Sequence, residues 1–393
     1  MSVRERRTVL VLIVLAPAAL ALGAPACAAD LFVDSGQRLG NGTTWQVALG
    51  DVDRDGDLDA VAANLIAGAS VWLNDGQARF TDTGQRLAPG AWVLVSDLDG
   101  DGWLDIVSGG WSTATMAAWN DGTGRFLLDE TELCSGALSL GAGDLDGDGD
   151  LDLYVGSEGP DFILVNRGDR TFAQSDQHFG DTETGGVAIG DLDGDGDLDI
   201  IAAGWNDGGH TWVNAGAGQD EAGHVWLNDG AGIFEERLAF DAREAHVHHA
   251  VLADFDGDGD LDAFFALAGG YCCRNIWLND GTGWLTQEPT DLGEIVSHGV
   301  AVADFDLNGC LDVALAGGAG PAAPASTRVW LGYSDGHYDS GLRIASAGSG
   351  GIATGDLDGD GDVDLFVGQY GYRSGLAGYY EHPNEVWLNT TND

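Results

Sequence analysis

DLDGDGDLD, residues 144–152, is preceded by the apolar run ALSLGAG and followed by LYVGS. The same nonapeptide pattern returns along the whole chain. It reads DVDRDGDLD at 51–59, DLDGDGWLD at 97–105, DLDGDGDLD again at 191–199, DFDGDGDLD at 254–262, DFDLNGCLD at 304–312 and DLDGDGDVD at 356–364. Successive copies start 46, 47, 47, 63, 50 and 52 residues apart, and a period near 40–50 residues is that of propeller blades.

The flanks repeat in register. A short apolar stretch enters each loop (WQVALG, WVLVS, GGVAIG, GVAVA), and a second leaves it (LDAVAAN, LDIVSGG, LDIIAAG). A third run follows, VWLNDG from Val71 and Val225, IWLNDG from Ile276 and VWLN from Val386. A fourth opens on an aromatic residue at Phe80, Phe126, Phe172, Phe234, Trp284 or Tyr338. These runs have strand length and strand composition, and Asn-Asp-Gly between the third and fourth suits a hairpin turn with positive φ. One period therefore predicts four antiparallel strands. The last repeat stops after its third strand, while Phe32–Leu39 (FVDSGQRL) nearly duplicates the fourth strand Phe80–Leu87 (FTDTGQRL). The expected fold is all-β: a seven-bladed β-propeller with four-stranded antiparallel blades, closed by an N-terminal strand completing the last blade. A linear solenoid would need no donated strand.

Asp at positions 1, 3, 5 and 9 around Gly at position 6 is an oxygen cage for a hard divalent cation, with the position 7 carbonyl as a further ligand. The candidate ligands are Asp51, Asp53, Asp55 and Asp59; Asp97, Asp99, Asp101 and Asp105; Asp144, Asp146, Asp148 and Asp152; and Asp191, Asp193, Asp195 and Asp199. They continue as Asp254, Asp256, Asp258 and Asp262; Asp304, Asp306, Asn308 and Asp312; and Asp356, Asp358, Asp360 and Asp364. Up to seven Ca2+ ions are expected. The sixth loop has one carboxylate fewer and is expected to bind most weakly. An EF-hand would require Glu at position 12 and flanking helices, but position 12 here falls in the second strand, at Ala62 or Val155 for example. The seven loops hold 32 of the chain's 64 acidic residues, and carboxylates so crowded repel one another unless a cation lies between them.

This pattern, seven DxDxDG loops in register with the VWLN and Phe punctuation, resembles the FG-GAP/VCBS repeat family, whose relatives include the integrin-like propeller head of the integrin α chain. The resemblance spans nearly all of residues 30–393 and implies a calcium-binding extracellular propeller used in cell adhesion or recognition.

The N-terminus reads as a signal peptide over 1–29: Arg4, Arg6 and Arg7, then the apolar run Thr8–Gly23, then small residues with Ala26 and Ala28 at an A-x-A site. Anchoring as a lipoprotein through Cys27 is the less favoured alternative, because Ala24 stands where such sites usually carry Leu. The expected location is secreted, extracellular or at the cell surface, with a periplasm as a variant. A formal charge of −48 with no lysine excludes nucleic acid as a partner and argues against an anionic bilayer. With 44% hydrophobic residues and 13 Trp the chain is not a disordered polyanion.

The loops opposite the calcium loops carry the irregular sequence, and they place Trp111, Trp205, Trp212, Tyr271, Tyr370, Tyr372, Tyr379 and Tyr380 on one face. Such aromatics suit a glycan or protein ligand, and packing onto the blade tops is the plainer reading. His248 and His298 each lie six residues before their loop, with His246 and His249 nearby and Trp45 in the matching place of blade one. They are candidates to line the channel mouth; solvated rim histidines are the plainer reading. The candidate ligand face is thus Trp111, Trp205, Trp212, His248, Tyr271, His298, Tyr372 and Tyr379. The pairing of Cys134, Cys272, Cys273 and Cys310 is open, although Cys310 and Cys272 belong to opposite faces. No G-x-S-x-G, H-E-x-x-H or P-loop occurs. The expected function is a calcium-binding recognition module and not an enzyme. The alternatives are a polysaccharide lyase or hydrolase on a propeller frame, using His246, His248, His298 or Tyr379, and a purely structural surface protein.

Overall fold

The computed structural model describes residues 31–180, 183–204, 223–240, 246–268, 275–290, 292, 297–317, 326–339, 341–345, 348–370 and 382–392. The leader, Cys27, Trp205, Trp212, Tyr271, Cys272, Cys273, Tyr372, Tyr379 and Tyr380 lie outside them.

Every described element is a strand, and the strands form seven four-stranded antiparallel sheets. Blade one holds Thr44–Gly50, Asp59–Asn64, Ser70–Leu73 and Thr81–Arg86. Blade two holds Trp92–Ser96, Asp105–Gly110, Thr113–Asn120 and Phe126–Ser135. Blade three holds Ala137–Gly143, Asp152–Ser157, Asp161–Asn166 and Phe172–Phe179; blade four holds Thr184–Gly190, Asp199–Gly204, Gly223–Asn228 and Phe234–Phe240. Blade five holds His246–Ala253, Asp262–Ala268, Ile276–Asn279 and Leu285–Gln287; blade six holds Ser297–Ala303, Asp312–Gly317, Thr327–Trp330 and Leu342–Ala345. Blade seven holds Ser349–Gly355, Asp364–Gln369 and Glu385–Asn389, and its outer strand is the N-terminal Phe32–Asp34.

The first strand of each blade contacts the first strands of both neighbours, blade seven touching blade one, so the sheets stand in a closed ring. Small residues permit the approach. A Cβ on Gly350 or Gly351 would collide with the backbone of Thr44–Val47 across the blade seven to blade one seam. The buried apolar side chains gather in seven clusters, each shared by two adjacent blades. A second strand feeds two clusters at once: Val61 faces blade two and Ala60 faces blade seven. Both faces of the sheet are covered there, which is why these strands read as continuous apolar runs and not as alternation.

Closure follows the near-duplication of the outer-strand sequence. Phe32, Val33 and Asp34 pair with Asn389, Leu388 and Trp387, and Leu39 bridges Asn384. Phe32 packs edge-on against Phe305 with ring centroids 5.4 Å apart, a burial of the kind that contributes about 1.5–3 kcal/mol. Gln85 of blade one accepts the Phe126 N–H at 2.8 Å and donates to the Gly124 carbonyl of blade two at 2.8 Å. Gln37 does the same one seam earlier, accepting the Phe80 N–H at 2.9 Å and donating to the Ala78 carbonyl.

One sequence expectation is corrected in blade five. Trp284 does not open the fourth strand as its core aromatic; it is 46% exposed, and Leu285 takes the buried place. Register gives the reason. Leu285 pairs with Asn279 as Phe126 pairs with Asn120 and Phe234 with Asn228. Trp284 sits one residue early, under the Arg237 guanidinium at 5.8 Å.

Candidate metal centres and ligand face

Each Asp-rich loop joins the first and second strands of its blade and is held by the same bonds. The position 6 glycine N–H donates to the position 1 carboxylate at 2.8–3.2 Å in all seven loops. That turn needs a left-handed backbone: φ at position 6 is +103° at Gly56 and +97° at Gly149, where a Cβ would be strained. Position 4 is left-handed too, and there Arg54 and Leu307 adopt φ of +58° and +57° where other copies have Gly. The position 5 side chain accepts the position 7 N–H at 2.7–3.1 Å.

Position 9 is the buried anchor. One oxygen accepts the position 2 N–H of its own loop at 2.6–3.1 Å. The other accepts the N–H at the end of the third strand at 2.7–2.9 Å. Positions 1, 3 and 9 converge: in Asp51, Asp53 and Asp59 the carboxylate oxygens lie within 4.8 Å of one another, and the same holds for the second to fifth loops.

This arrangement suits a divalent cation. The Oδ1 atoms of Asp51, Asp97, Asp144 and Asp358 are buried and take no hydrogen bond, although they sit beside other carboxylates. A buried anionic oxygen without a donor is costly, and a cation satisfies it. With protein atoms alone around it, burial pushes Asp59 up to about 7, and backbone hydrogen bonds from Asn74 and Val52 only partly offset this. Asp152 is likewise raised to about 7, Asp262 to about 6 and Asp312 to about 8, with burial the largest cause in each. The second loop carries a tethered charge as well. Arg170 of blade three, lying over the Trp119 ring at 5.0 Å, donates from Nε to Asp99 Oδ2 at 2.7 Å.

Sequence reading took VWLN only as punctuation and missed what its asparagine does. Asn166 Nδ2 donates to the Leu151 carbonyl of its own loop at 3.0 Å and to the Leu98 carbonyl of the preceding blade's loop at 2.7 Å. Asn74, Asn120, Asn228, Asn279 and Asn389 make the equivalent pair of bonds. Each asparagine thus ties one Asp-rich loop to the next around the ring. Blade six has Gly332 in that place, and there Asn308 of the loop reaches back to the Gly332 carbonyl at 2.9 Å. The seam between blades five and six therefore lacks the tie. The signal was present in the sequence as an invariant Asn broken once, at VWLGYSDG.

The first strands run toward the Asp-rich loops, so their starts lie on the opposite face. There Trp45 packs edge-on to Trp111 at 5.1 Å and to His298 at 5.8 Å, and tilted against Tyr370 at 5.0 Å. His298 also touches Tyr370 at 5.0 Å and His248 at 4.7 Å. Trp111, His248 and His298 are thus brought together. His248 is only 7% exposed, unlike a solvated rim histidine, whereas His249 and His298 keep part of their surface open; rings from five blades crowd together here. Enclosure by protein lowers His249 and His298 to about 4, which leaves both neutral at neutral pH. Cys134 and Cys310 are free thiols.

Comparison with known proteins agrees with this geometry. Residues 97–155 and 144–202 each match the family described as FG-GAP-like repeat. No curated protein sequence matches the chain. Among solved structures, the chain resembles an Agrocybe aegerita lectin described as recognising non-reducing terminal N-acetylglucosamine. The identity is 20%, the TM-score 0.50, and 84% of this chain and 86% of that one are covered. It also resembles BBS1N in complex with ARL6DN. The crystal soaked with lead gives 12% identity and a TM-score of 0.53, and the one soaked with mercury 13% and 0.55, each covering 93% of this chain and 98% of the other. At such identities the likeness speaks for the fold.

Proposed function

We propose that this chain, a seven-bladed β-propeller carrying FG-GAP-like repeats, is a secreted module that loads calcium at its Asp-rich loops and recognises an extracellular glycan or protein without catalysis. The observation that carries the calcium reading is the buried, partnerless Oδ1 of Asp51, Asp97, Asp144 and Asp358 inside clusters of carboxylates. Asp is hard-oxygen chemistry, and extracellular calcium modules typically bind at about 10⁻⁴–10⁻³ M. When bound, the ion neutralises the crowded carboxylates and joins the two strands that each loop connects. The chain's own part is to present the oxygens: the position 6 glycine and the position 9 anchor set the turn before any ion arrives. Because the asparagines link loop to loop, calcium in one blade stiffens its neighbour.

The recognition reading rests on the uneven build of the face opposite the Asp-rich loops, which gathers Trp45, Trp92, Trp111, His248, His298 and Tyr370. The lectin named above, similar in fold, is described as recognising a sugar, N-acetylglucosamine, which fits this reading. The net charge of −48 speaks against nucleic acid and against direct membrane insertion. Calcium titration calorimetry and melting on residues 30–393, together with a glycan array run with and without chelator, test the proposal. Saturable calcium binding, a chelation-sensitive melting temperature and calcium-dependent array signals are expected. A chain that binds no calcium and melts unchanged after exhaustive chelation overturns the first half, and a blank array and blank pull-downs overturn the second.

A further inference from the structure

In blades one to five the turn between the third and fourth strands rests against the Asp-rich loop of the blade before it. The contact is made two places before the residue that opens the fourth strand into the core. Ala78 and Gly283 donate their N–H to Leu357 and Leu192, at position 2 of that loop, at 2.8 and 3.2 Å. A Cβ on Gly124 or Gly232 would stand 3.1 Å from the Cβ of Asp53 or Asp146, at position 3. Arg170 holds the same place in blade three. All five residues have a left-handed backbone, with φ from +51° to +76°. Three are glycine and one is alanine. Arg170, at φ +67°, alone carries a long side chain there, in a conformation that bulky L residues adopt only at a cost.

That side chain goes to the second loop. Its Nε donates to Asp99 Oδ2 at 2.7 Å, Nη2 reaches the same oxygen, and Asp101 Oδ2 lies 3.8 Å from Nη2. These are positions 3 and 5. The Asp99 side chain is 6% exposed, and its Oδ1 accepts the Asp101 N–H at 3.0 Å. Behind the guanidinium stands the Trp119 ring, whose indole N–H is held by Asp129 at 3.2 Å. On the other flank Arg54 of the first loop lies over the ring of Trp103, position 7 of the second, at 4.5 Å. The second loop therefore sets four aspartates beside two arginines, where the third has five aspartates, Asp144, Asp146, Asp148, Asp150 and Asp152. Among the described residues, no other position 3 carboxylate pairs with an arginine.

Crowded carboxylates need positive charge close by, and a guanidinium supplies it as a divalent ion does. A fixed guanidinium also repels that ion and occupies an oxygen the ion would share. We propose that Arg170 is a built-in counter-cation of the second loop: it keeps this loop closed without an ion and makes it a weaker calcium site than loops one, three, four, five and seven. This inference rests on the calcium reading above. Its consequence is graded loading. At low calcium those loops fill first, while the second stays ordered on the protein's own charge.

Hydrogen–deuterium exchange of residues 97–105, 144–152 and 191–199, in calcium and after chelation, tests this alongside calcium calorimetry. In the native chain, chelation is expected to release 144–152 and 191–199 and to leave 97–105 protected. Arg170→Gly installs the residue that blades two, four and five carry at this place, so the turn accepts it. In that variant 97–105 should lose protection on chelation as the other loops do. One calcium site should also tighten about tenfold, the order expected when a guanidinium no longer faces a divalent ion in a half-solvated site. Arg170→Lys, which keeps the charge, should stay nearer the native titration. A native second loop that opens on chelation as fully as the third, or an Arg170→Gly titration equal to the native one, overturns the inference and leaves the calcium reading standing. Equal tightening in the glycine and lysine variants makes the side chain a matter of packing and overturns it too. A native chain whose loops all ignore calcium overturns both.

Discussion

Replacing Asn166 by Asp should cost more than its near-identical size suggests. The side chain is 1% exposed. Its Nδ2 serves the Leu98 carbonyl at 2.7 Å and the Leu151 carbonyl at 3.0 Å, and its Oδ1 accepts the Gly168 N–H at 3.1 Å. An ionised Asp keeps the shape and the acceptor but donates nothing. It leaves two buried carbonyls without donors and sets a second negative charge beside Asp152. Each orphaned buried group costs about 1–3 kcal/mol, so losing two should cost roughly 2–6 kcal/mol, a large share of a domain's usual 5–15 kcal/mol. Asn166→Ala loses the same two bonds without the added charge and should fall at or below the Asp variant's cost. The assay is urea unfolding in excess calcium chloride, comparing midpoints at constant slope so that compactness is not confused with stability. If Asn166→Asp lies within about 0.5 kcal/mol of the parent, the ordinary scatter of neutral substitutions, the side chain is a space-filler and the loop-to-loop tie is wrong.

Three further outcomes are expected. Calcium-free protein should become more stable as pH falls from about 8 to about 6.5. The position 9 carboxyls, raised to about 7 at Asp59 and about 8 at Asp312, favour the protonated form in the folded state, and stability carried by a raised pKa is lost as pH rises through it. Calcium-loaded protein should do the opposite as protons displace the ion, so melting curves recorded with and without calcium should approach each other on acidification. Parallel curves would refute this. Below about 6.5, His249 and His298, lowered to about 4, remove stability in both forms. Gly332→Asn should not repair the untied seam, because a Cβ there would stand 2.3 Å from the Leu311 carbonyl oxygen. A melting temperature below the parent's is expected, and a rise would show that the backbone yields. Removing residues 30–39 should expose the Glu385–Asn389 strand as an open edge and strip Phe32 from Phe305. A lower, broader melt with self-association by size-exclusion chromatography is expected, and a monomer melting as the parent does would refute closure by the donated strand.

Most of the architecture was legible in the chain because the repeat is short and each of its parts answers a local rule. Gly at position 6 permits a left-handed turn, alternate Asp residues crowd oxygens, and Asn-Asp-Gly turns a hairpin. The outer strand of blade seven could be placed at the far terminus because FVDSGQRL and FTDTGQRL share the glutamine that bonds across a seam. Trp284 misled because aromatic character was weighed above register, and only the pairing of Leu285 with Asn279 shows which residue faces the core.

Period, strand count and the Asp pattern of the candidate cation sites are thus written in nearest-neighbour order, since turn and strand preferences act over a few residues and a nonapeptide repeated seven times keeps them in phase. Three things required the ring itself. Five of the six asparagines bond to a carbonyl 68–87 positions away, as Asn166 does to Leu98 and Asn279 to Leu192, and Asn74 reaches Leu357 across the ring's closing seam, 283 positions away, partners chosen by blade packing. His249 and His298 are held neutral because the blades converging on them strip water from their rings. The pairing of Arg170 with Asp99, 71 positions back, exists only where blades two and three meet, because proximity, like burial, is a property of surroundings that no single segment carries.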